Sequence, residues 1–497
     1  MTLVKYTWWV GLVALLLLSC ESREQREERL AKTYCSSCHL FPKPGLLDKA
    51  TWQAKVLPQM AFRMGIDASL LWEIPQADMP FVMASLPDRP MVSKEEWESI
   101  QNYFLRLAPD SLSIPSWSAQ PLHQFEPVRV TLPQNRFPML SLLHVDSASK
   151  TFFTSSRHNW LHQYNYQFQA VDSVPLRSPA SAVLHAATQP VRILQMGIMD
   201  PNDQPKGSLV IRSGAGLQVQ IDSLKRPVDV QETDLNRDGR EDLIICAFGN
   251  YTGNLLAFEN LGNGHYQQHV LSTLPGARKT EVRDFNNDGL PDVLAMITQG
   301  DEQITLFLNA GNFRFKQQTL LRFPAVYGSS YFETTDFNHD GHFDILYTNG
   351  DNADYSIALK PYHGVRIFLN DGRNQFKESW FFAMYGCSWA VARDFDRDGD
   401  VDVAAISFFP DFENTPENSF VYLENQNGTM LPFTTPLAAQ GRWLLMETLD
   451  WDNDGFTDLM LGALNFNNGV PPPLVEKWKA DPVSILLLKN KAKTILP

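Results

Sequence analysis

The sequence predicts a multidomain protein, a small all-α domain followed by a larger all-β domain made of repeats. Two observations carry this. Residues 21–109 hold apolar positions at helical spacing around Cys35-Ser36-Ser37-Cys38-His39. Beyond them the acidic pattern D-x-[DN]-x-D-G-x-x-D occurs five times, starting at 234, 284, 336, 394 and 450. Recurrence with a period of roughly 50 residues is the mark of stacked supersecondary units.

At the N-terminus, Lys5 is the only charge before an apolar run from Trp8 to Leu18, which ends in Leu17-Leu18-Ser19-Cys20. A positive start, a short apolar stretch and a small residue before the break read as a secretory signal over 1–20, too short for a lasting membrane span. Cys20 after that stretch resembles a bacterial lipobox. The resemblance implies lipidation at Cys20 and an extracytoplasmic chain anchored in a bacterial lipid bilayer, in the periplasm or on the outer surface. The remaining boundaries fall at 21–109, a Ser- and Pro-rich linker at 110–122, and 123–497. Five cysteines in 497 residues do not make a disulfide scaffold. Cys246, in an apolar run, and Cys387 read as buried thiols.

Glu21 to Tyr34 is rich in helix formers and runs straight into C-x-x-C-H. That spacing attaches a c-type haem through two thioethers, with the histidine as iron ligand; it also serves a redox-active disulfide or half of a zinc site. Ser93-Lys-Glu-Glu96 is a capping box ahead of Trp97, Ile100, Tyr103, Phe104 and Leu107, an apolar helical face. Helix, motif, loop-rich middle and closing helix together resemble the class I cytochrome c fold. The resemblance implies one covalent haem c held by Cys35, Cys38 and His39. For the sixth ligand, the segment Trp52 to Gly65 resembles the Trp-to-Met stretch of short cytochrome c domains and favours Met60, with Met64, Met79, Met83 and Met91 also open. Pro42 or Pro44 offers a carbonyl to orient His39.

The acidic loops place oxygen ligands at positions 1, 3 and 5, glycine at 6 for the sharp turn, and Asp at 9. The ligand sets are Asp234, Asn236, Asp238 and Asp242; Asp284, Asn286, Asp288 and Asp292; Asp336, Asn338, Asp340 and Asp344; Asp394, Asp396, Asp398 and Asp402; and Asp450, Asp452, Asp454 and Asp458. An EF-hand needs Glu at position 12, where Ile245, Ala295, Tyr347, Ala405 and Leu461 stand instead. Each loop leads into an extended apolar run such as Leu243-Ile-Ile-Cys-Ala, so it joins two strands. The set resembles the FG-GAP/VCBS blades of calcium-binding β-propellers, the type found in integrin α-subunits, and implies five Ca²⁺. The loops hold 17 carboxylates at these positions against a net charge of −14, so the acidity is concentrated there and leaves no basic patch for nucleic acid.

Two degenerate copies, Ser141–Tyr164 and Ser181–Ile211, raise the count to seven, predicting a seven-bladed propeller. The last repeat lacks a fourth strand, and Glu126–Thr131 is expected to supply it by pairing with the C-terminal strand. Long second-to-third-strand loops collect on the face away from the acidic loops. There Asp351, Asp354, Tyr355, Tyr362 and His363 are the candidate ligand residues, since long loops on a rigid scaffold commonly bind. No G-x-S-x-G, H-E-x-x-H or phosphate-cradling loop is present. The favoured function is electron transfer to a redox partner protein or from a small-molecule donor, with the propeller docking the partner. A haem-dependent oxidoreductase and a surface adhesion module binding a glycan or surface protein are the alternatives.

Overall fold

The computed structural model describes residues 21–133, 137–185, 189–214, 216–352 and 358–491; the signal stretch and Cys20 lie outside them. The chain divides into two compact units, one of residues 21–73 and 86–112, the other of 74–85 and everything from Ser113 on. Among the described residues no helix is long and apolar enough to cross a membrane.

In the first unit, Ser22 and Gln25 form a reciprocal cap on helix Arg23–Cys35, and Ser93 and Glu96 cap Lys94–Leu107 in the same way. Each side chain satisfies a backbone N–H that the first helical turn leaves open. The second helix buries Trp97, Ile100, Tyr103 and Phe104. Phe104 meets Trp52 at 4.4 Å and Phe41 at 6.0 Å between ring centroids. Glu27, 3 % exposed, joins the two helices by accepting from Arg23 at 2.9 Å and Arg106 at 3.1 Å. Between the helices, Lys49–Thr51, Trp52–Val56 and Leu57–Arg63 follow without a break, the middle segment π-helical.

The second unit is a β-propeller of seven antiparallel sheets, four strands from each blade. The innermost strands are Leu140–Asp146, Ala180–Leu184, Pro227–Thr233, Ala277–Arg283, Ser329–Thr335, Cys387–Arg393 and Trp443–Leu449, in blade order 1 to 7. Second strands such as Asp242–Ala247 and Asp292–Ile297 are buried along their whole length, because a blade is covered on both faces by its neighbours. Their sequences are therefore continuously apolar instead of alternating. Outer strands such as Phe315–Arg322 face water and carry Lys and Gln.

The ring closes as the sequence predicts. Phe125–Val130 pairs antiparallel with Ile485–Asn490 and becomes the fourth strand of blade 7. Phe125 is fully buried and packs edge-on against Phe395 at 5.4 Å and Tyr422 at 5.3 Å. Part of the stretch read as a linker is fastened to the propeller: Gln120–Pro121 runs parallel to the outer strand of blade 6, and the Trp117 indole donates to Ala383 at 2.7 Å. Residues 74–85 are fastened too, through Gln204 to Asp78 at 3.2 Å and Lys225 over the Phe81 ring at 5.1 Å. One helix escapes the sequence reading. Pro472–Ala480 starts on a proline run and buries Trp478, whose indole donates to Ala439 at 2.9 Å.

Truncating Phe125 to Ala removes the anchor of the closing strand and is expected to cost about 3–5 kcal/mol, read as a lower propeller unfolding midpoint; an unchanged midpoint would show that closure does not depend on it. Glu27→Ala should cost the helical unit about 1–2 kcal/mol, since the partly exposed Arg106 regains water. Urea titration of that unit's tryptophan fluorescence measures it.

Candidate functional site

Three groups of residues carry chemistry. The first is the C-x-x-C-H segment. Cys35 ends helix Arg23–Cys35, Cys38 is exposed, and His39 is buried with Nδ1 3.1 Å from the Leu40 carbonyl. The Pro44 carbonyl instead accepts the Trp52 indole N–H at 2.8 Å. Both cysteines are free thiols. Burial, then the neighbouring Cys38, pushes the Cys35 thiol up to about 12. Two thiols at the end of one helix beside a buried imidazole are the donor groups this segment offers, and the same set serves thioether attachment, a redox pair or half of a zinc site. Leu40, Trp72 and Met91 of the same unit are exposed apolar side chains, Trp72 to 94 %.

The methionines separate. Met60 is half-buried on Leu57–Arg63, and Met64 is buried, its carbonyl accepting the Met91 N–H at 3.0 Å. Met79 and Met83 lie in the segment that belongs with the propeller.

The second group is the five acidic loops, which share one backbone. Position 4 has a left-handed φ in every copy, 61° at Arg237, 58° at Asn287, 59° at His339, 60° at Arg397 and 60° at Asn453. The glycine at position 6 follows with φ between 82° and 98°, a conformation that favours glycine. The first Asp accepts the glycine N–H in each loop, for example Asp234 from Gly239 at 2.8 Å and Asp450 from Gly455 at 3.0 Å. In the two all-aspartate loops, oxygens of Asp394, Asp396 and Asp398, and of Asp450, Asp452 and Asp454, lie within 4.8 Å of one another. Asp450 Oδ1 is buried without a hydrogen-bond partner. Clustered carboxylate oxygens, one of them orphaned, fit a hard cation such as Ca²⁺.

The aspartates at position 9 do something the loop pattern alone does not reveal. Asp242, Asp292, Asp344, Asp402 and Asp458 are at most 1 % exposed. In each, Oδ2 accepts the N–H of loop position 2, from Leu235, Phe285, Phe337, Phe395 or Trp451, at 2.6–3.2 Å. Oδ1 accepts the N–H of an asparagine ending the third strand, Asn260, Asn309, Asn370, Asn425 or Asn490, at 2.6–2.8 Å. That asparagine's side chain donates back to the carbonyl just before the aspartate in all five of these blades. Burial raises all five carboxyls, to about 7 at Asp402 and about 6 at Asp458. Asp402 Oδ2 also accepts from the buried Tyr422 hydroxyl at 2.8 Å, which fills both of its lone pairs. The recurring asparagine was visible in sequence, in Leu-Glu-Asn425 as in Phe-Leu-Asn309 and Phe-Leu-Asn370.

The third group is the opposite, loop-rich face. Asp354 and Tyr355 lie outside the described residues. Asp351 is half-buried, 3.9 Å from Arg278. Tyr362 stacks on Tyr327 at 4.9 Å and donates to the Val326 carbonyl at 3.2 Å. His363 is fully buried, with neither ring nitrogen at hydrogen-bond geometry. Burial, with Lys360 and Arg366 beside it, holds its pKa well below the usual value, while the Tyr327 backbone pulls weakly the other way. The imidazole is neutral and enclosed, not presented to solvent. Arg442, absent from the sequence reading, locks this face. Fully buried, it donates to the Phe408, Phe466 and Asn468 carbonyls and lies 3.9 Å from the Phe408 ring centre.

Glu302 is 1 % exposed and accepts from Gly328 N, Ser329 N and Ser329 Oγ at 3.0, 2.7 and 2.5 Å. Burial raises its carboxyl to about 7, against an ordinary 4.5. The folded chain therefore holds this proton more tightly than the unfolded chain. Stability should fall as pH rises from about 4.5 to about 7 and level off above. Glu302→Gln should remove about 3 kcal/mol of that slope in urea unfolding across the window; an undiminished slope would assign the effect elsewhere.

Comparison with known proteins bears on the acidic loops. The FG-GAP-like repeat family matches residues 234–295, 284–347 and 394–461. No curated protein matches the chain. Similar solved structures include the N-terminal domain of Nup159, 10 % identical, covering 75 % of this chain and 97 % of its own, with a TM-score of 0.43. The Neurospora crassa Pan2 WD40 domain is 11 % identical, covers 75 % of this chain and 98 % of its own, and has a TM-score of 0.45. Likeness at this level bears on neither function nor partner. The chain carries FG-GAP-like repeats in a seven-bladed β-propeller.

Proposed function

We propose that this chain is a membrane-anchored, extracytoplasmic c-type haem protein for electron transfer, whose calcium-bound propeller docks the redox partner or electron donor. FG-GAP-like repeats support the propeller as a ligand- or partner-binding module. The observation that carries the haem reading is the arrangement of Cys35, Cys38 and His39: two free thiols at a helix end and a buried imidazole steadied by a backbone carbonyl. Cys35 and Cys38 would hold the haem covalently, His39 would ligate the iron, and Met60 is the favoured sixth ligand. When bound, the haem supplies a one-electron redox centre. The chain's own part is to fix the imidazole through Leu40, pack the motif against Lys94–Leu107, and keep Cys35 a neutral thiol until attachment. The acidic loops would each hold one Ca²⁺, and the lipidated Cys20 would tether the whole chain.

The test is the full chain made in a host with haem-attachment machinery. A reduced-minus-oxidised spectrum and a haem stain on a denaturing gel should show covalent haem, lost when Cys35 and Cys38 are both changed to Ala. No covalent haem in the parent chain overturns the reading. Met60→Ala should keep the haem and lower its midpoint potential.

Calcium is tested separately. Each site that is filled at a hundredfold excess over its Kd stabilises the propeller by about 2.7 kcal/mol. Chelation should therefore lower the unfolding midpoint markedly, and Asp454→Ala should lower it in calcium by about one site's worth. A midpoint indifferent to chelator would count against cation binding.

A further inference from the structure

The acidic-loop face of the propeller carries an open depression of about 610 Å³ between the innermost strands of blades 4, 5 and 6. Strand register orders its wall. Arg283, Thr335 and Arg393 line it and each pairs with the position-9 aspartate of its own blade, Asp292, Asp344 or Asp402, so the three stand at one level. Two residues further along the strands, Glu281, Glu333 and Glu447 share a second level, and the first two also line the depression. Asp336 and Asp394, the first residues of the loops of blades 5 and 6, complete the wall.

The acceptors in this wall are already engaged. Glu281 accepts the Thr334 N–H at 3.2 Å and the Thr334 hydroxyl, with Lys279 Nζ 4.0 Å away. Glu333 accepts from Arg393. Asp336 and Asp394 accept the N–H groups of Gly341 and Gly399 at 2.9 and 3.2 Å.

The donors are not used up. Among the described residues, the Arg283 guanidinium makes no hydrogen bond; its Nε lies 3.7 Å from Glu281 and its plane covers the Phe343 ring at 4.5 Å. Arg393 reaches Glu333 and the Ala392 carbonyl through Nη1 alone, which leaves Nε and Nη2. The Thr335 hydroxyl, on the blade between these two arginines, has no hydrogen-bond partner among the described residues.

We propose that this depression binds a ligand carrying two carboxylates, one on Arg283 and one on Arg393, in the calcium-loaded protein. Guanidinium N–H pairs match a carboxylate in bidentate fashion, and two of them at matched register flank a hydroxyl that can donate between them. The volume lies within the range of small-ligand sites. The loops set the condition. Without cations, their aspartates repel an anion approaching the depression; a Ca²⁺ in each loop offsets much of that charge. The dependence on calcium rests on the loop reading above, and the haem plays no part. A free dicarboxylic acid and two neighbouring acidic side chains of a docking protein present the same chemistry, and titration separates them.

The experiment is a calorimetric titration of the full chain, in excess calcium, with succinate, glutarate and the blocked dipeptide acetyl-aspartyl-glutamyl amide. Acetate and succinamide serve as the one-carboxylate and neutral counterparts. At least one dicarboxylate should bind saturably with a Kd of about 1 mM or below, about tenfold or more tighter than acetate, and succinamide should not bind. Preference for the dipeptide supports a docking protein as the source, preference for a free acid a small molecule. Arg283→Met, which breaks no hydrogen bond, should weaken binding about tenfold or more. Arg393→Met gives a second loss, while Arg373→Met, at an exposed site outside the depression, gives none. Chelation should weaken binding to a similar degree. No saturable heat with any dicarboxylate up to about 50 mM overturns the proposal. So does equal binding of acetate, or unchanged affinity in Arg283→Met. A chelator that lowers the unfolding midpoint yet leaves dicarboxylate affinity unchanged overturns the proposal alone; one that changes neither overturns the calcium reading with it.

Discussion

The propeller depends on one small arrangement, a buried aspartate clasped between a loop and a strand end. In five blades that carboxylate accepts the N–H of its own loop on one oxygen and the N–H of a third-strand asparagine on the other. The asparagine amide returns a hydrogen bond to the chain just before the aspartate. In blades 4 and 7 the same amide also reaches the preceding blade, donating to the carbonyls of Leu235 and Phe395. One polar pair thus fixes a loop, sets a strand's end and stitches two blades. A buried carboxylate is costly unless its oxygens are satisfied, so the pair is either complete or a liability.

The clasp also explains why the loops suit a cation. With position 9 held from below, the carboxylates of positions 1, 3 and 5 are pressed together above it, and backbone N–H groups alone do not neutralise them. Burial pushes the clasped carboxyls upward, to about 7 at Asp402 and about 6 at Asp458. Side chains at loop position 4 extend the effect around the ring. His339 meets the Gly399 carbonyl at 3.1 Å, and Arg397 donates to the carbonyl of Gly455. These two contacts tie the acidic loops of blades 5, 6 and 7 together in series.

Much of this was legible in the chain. The seven blades, the strand character of the runs after each loop and the closing role of Glu126–Thr131 follow from repeat period and polarity. The cap of Lys94–Leu107 follows from Ser93-x-x-Glu96, while the matching Ser22–Gln25 cap emerges only in the structure. What was not legible has a common cause: long-range burial. His363 reads in sequence as a loop residue beside polar neighbours, yet the stacked Tyr327 and Tyr362 and the strand beginning at Gly364 enclose it. Arg442 carries no signal in the sequence, and only the aromatic loops brought from blades 6 and 7 make it a buried tie. Helix Pro472–Ala480 hides behind three prolines that signal a loop, yet Pro471 is its N-cap and Pro472 and Pro473 open its first turn. Glu281, Glu333 and Glu447 are scattered across more than 160 residues, and strand register alone puts them at one level.

In the function proposed above, one chain would carry a covalent redox centre in its helical unit and up to five cations in its propeller. Native mass spectrometry of the mature full-length protein tests both parts in one spectrum. The account predicts a chain heavier by one haem that survives denaturation, together with up to five calcium ions that leave on chelation. A chain of bare polypeptide mass, unchanged by chelator, would contradict it.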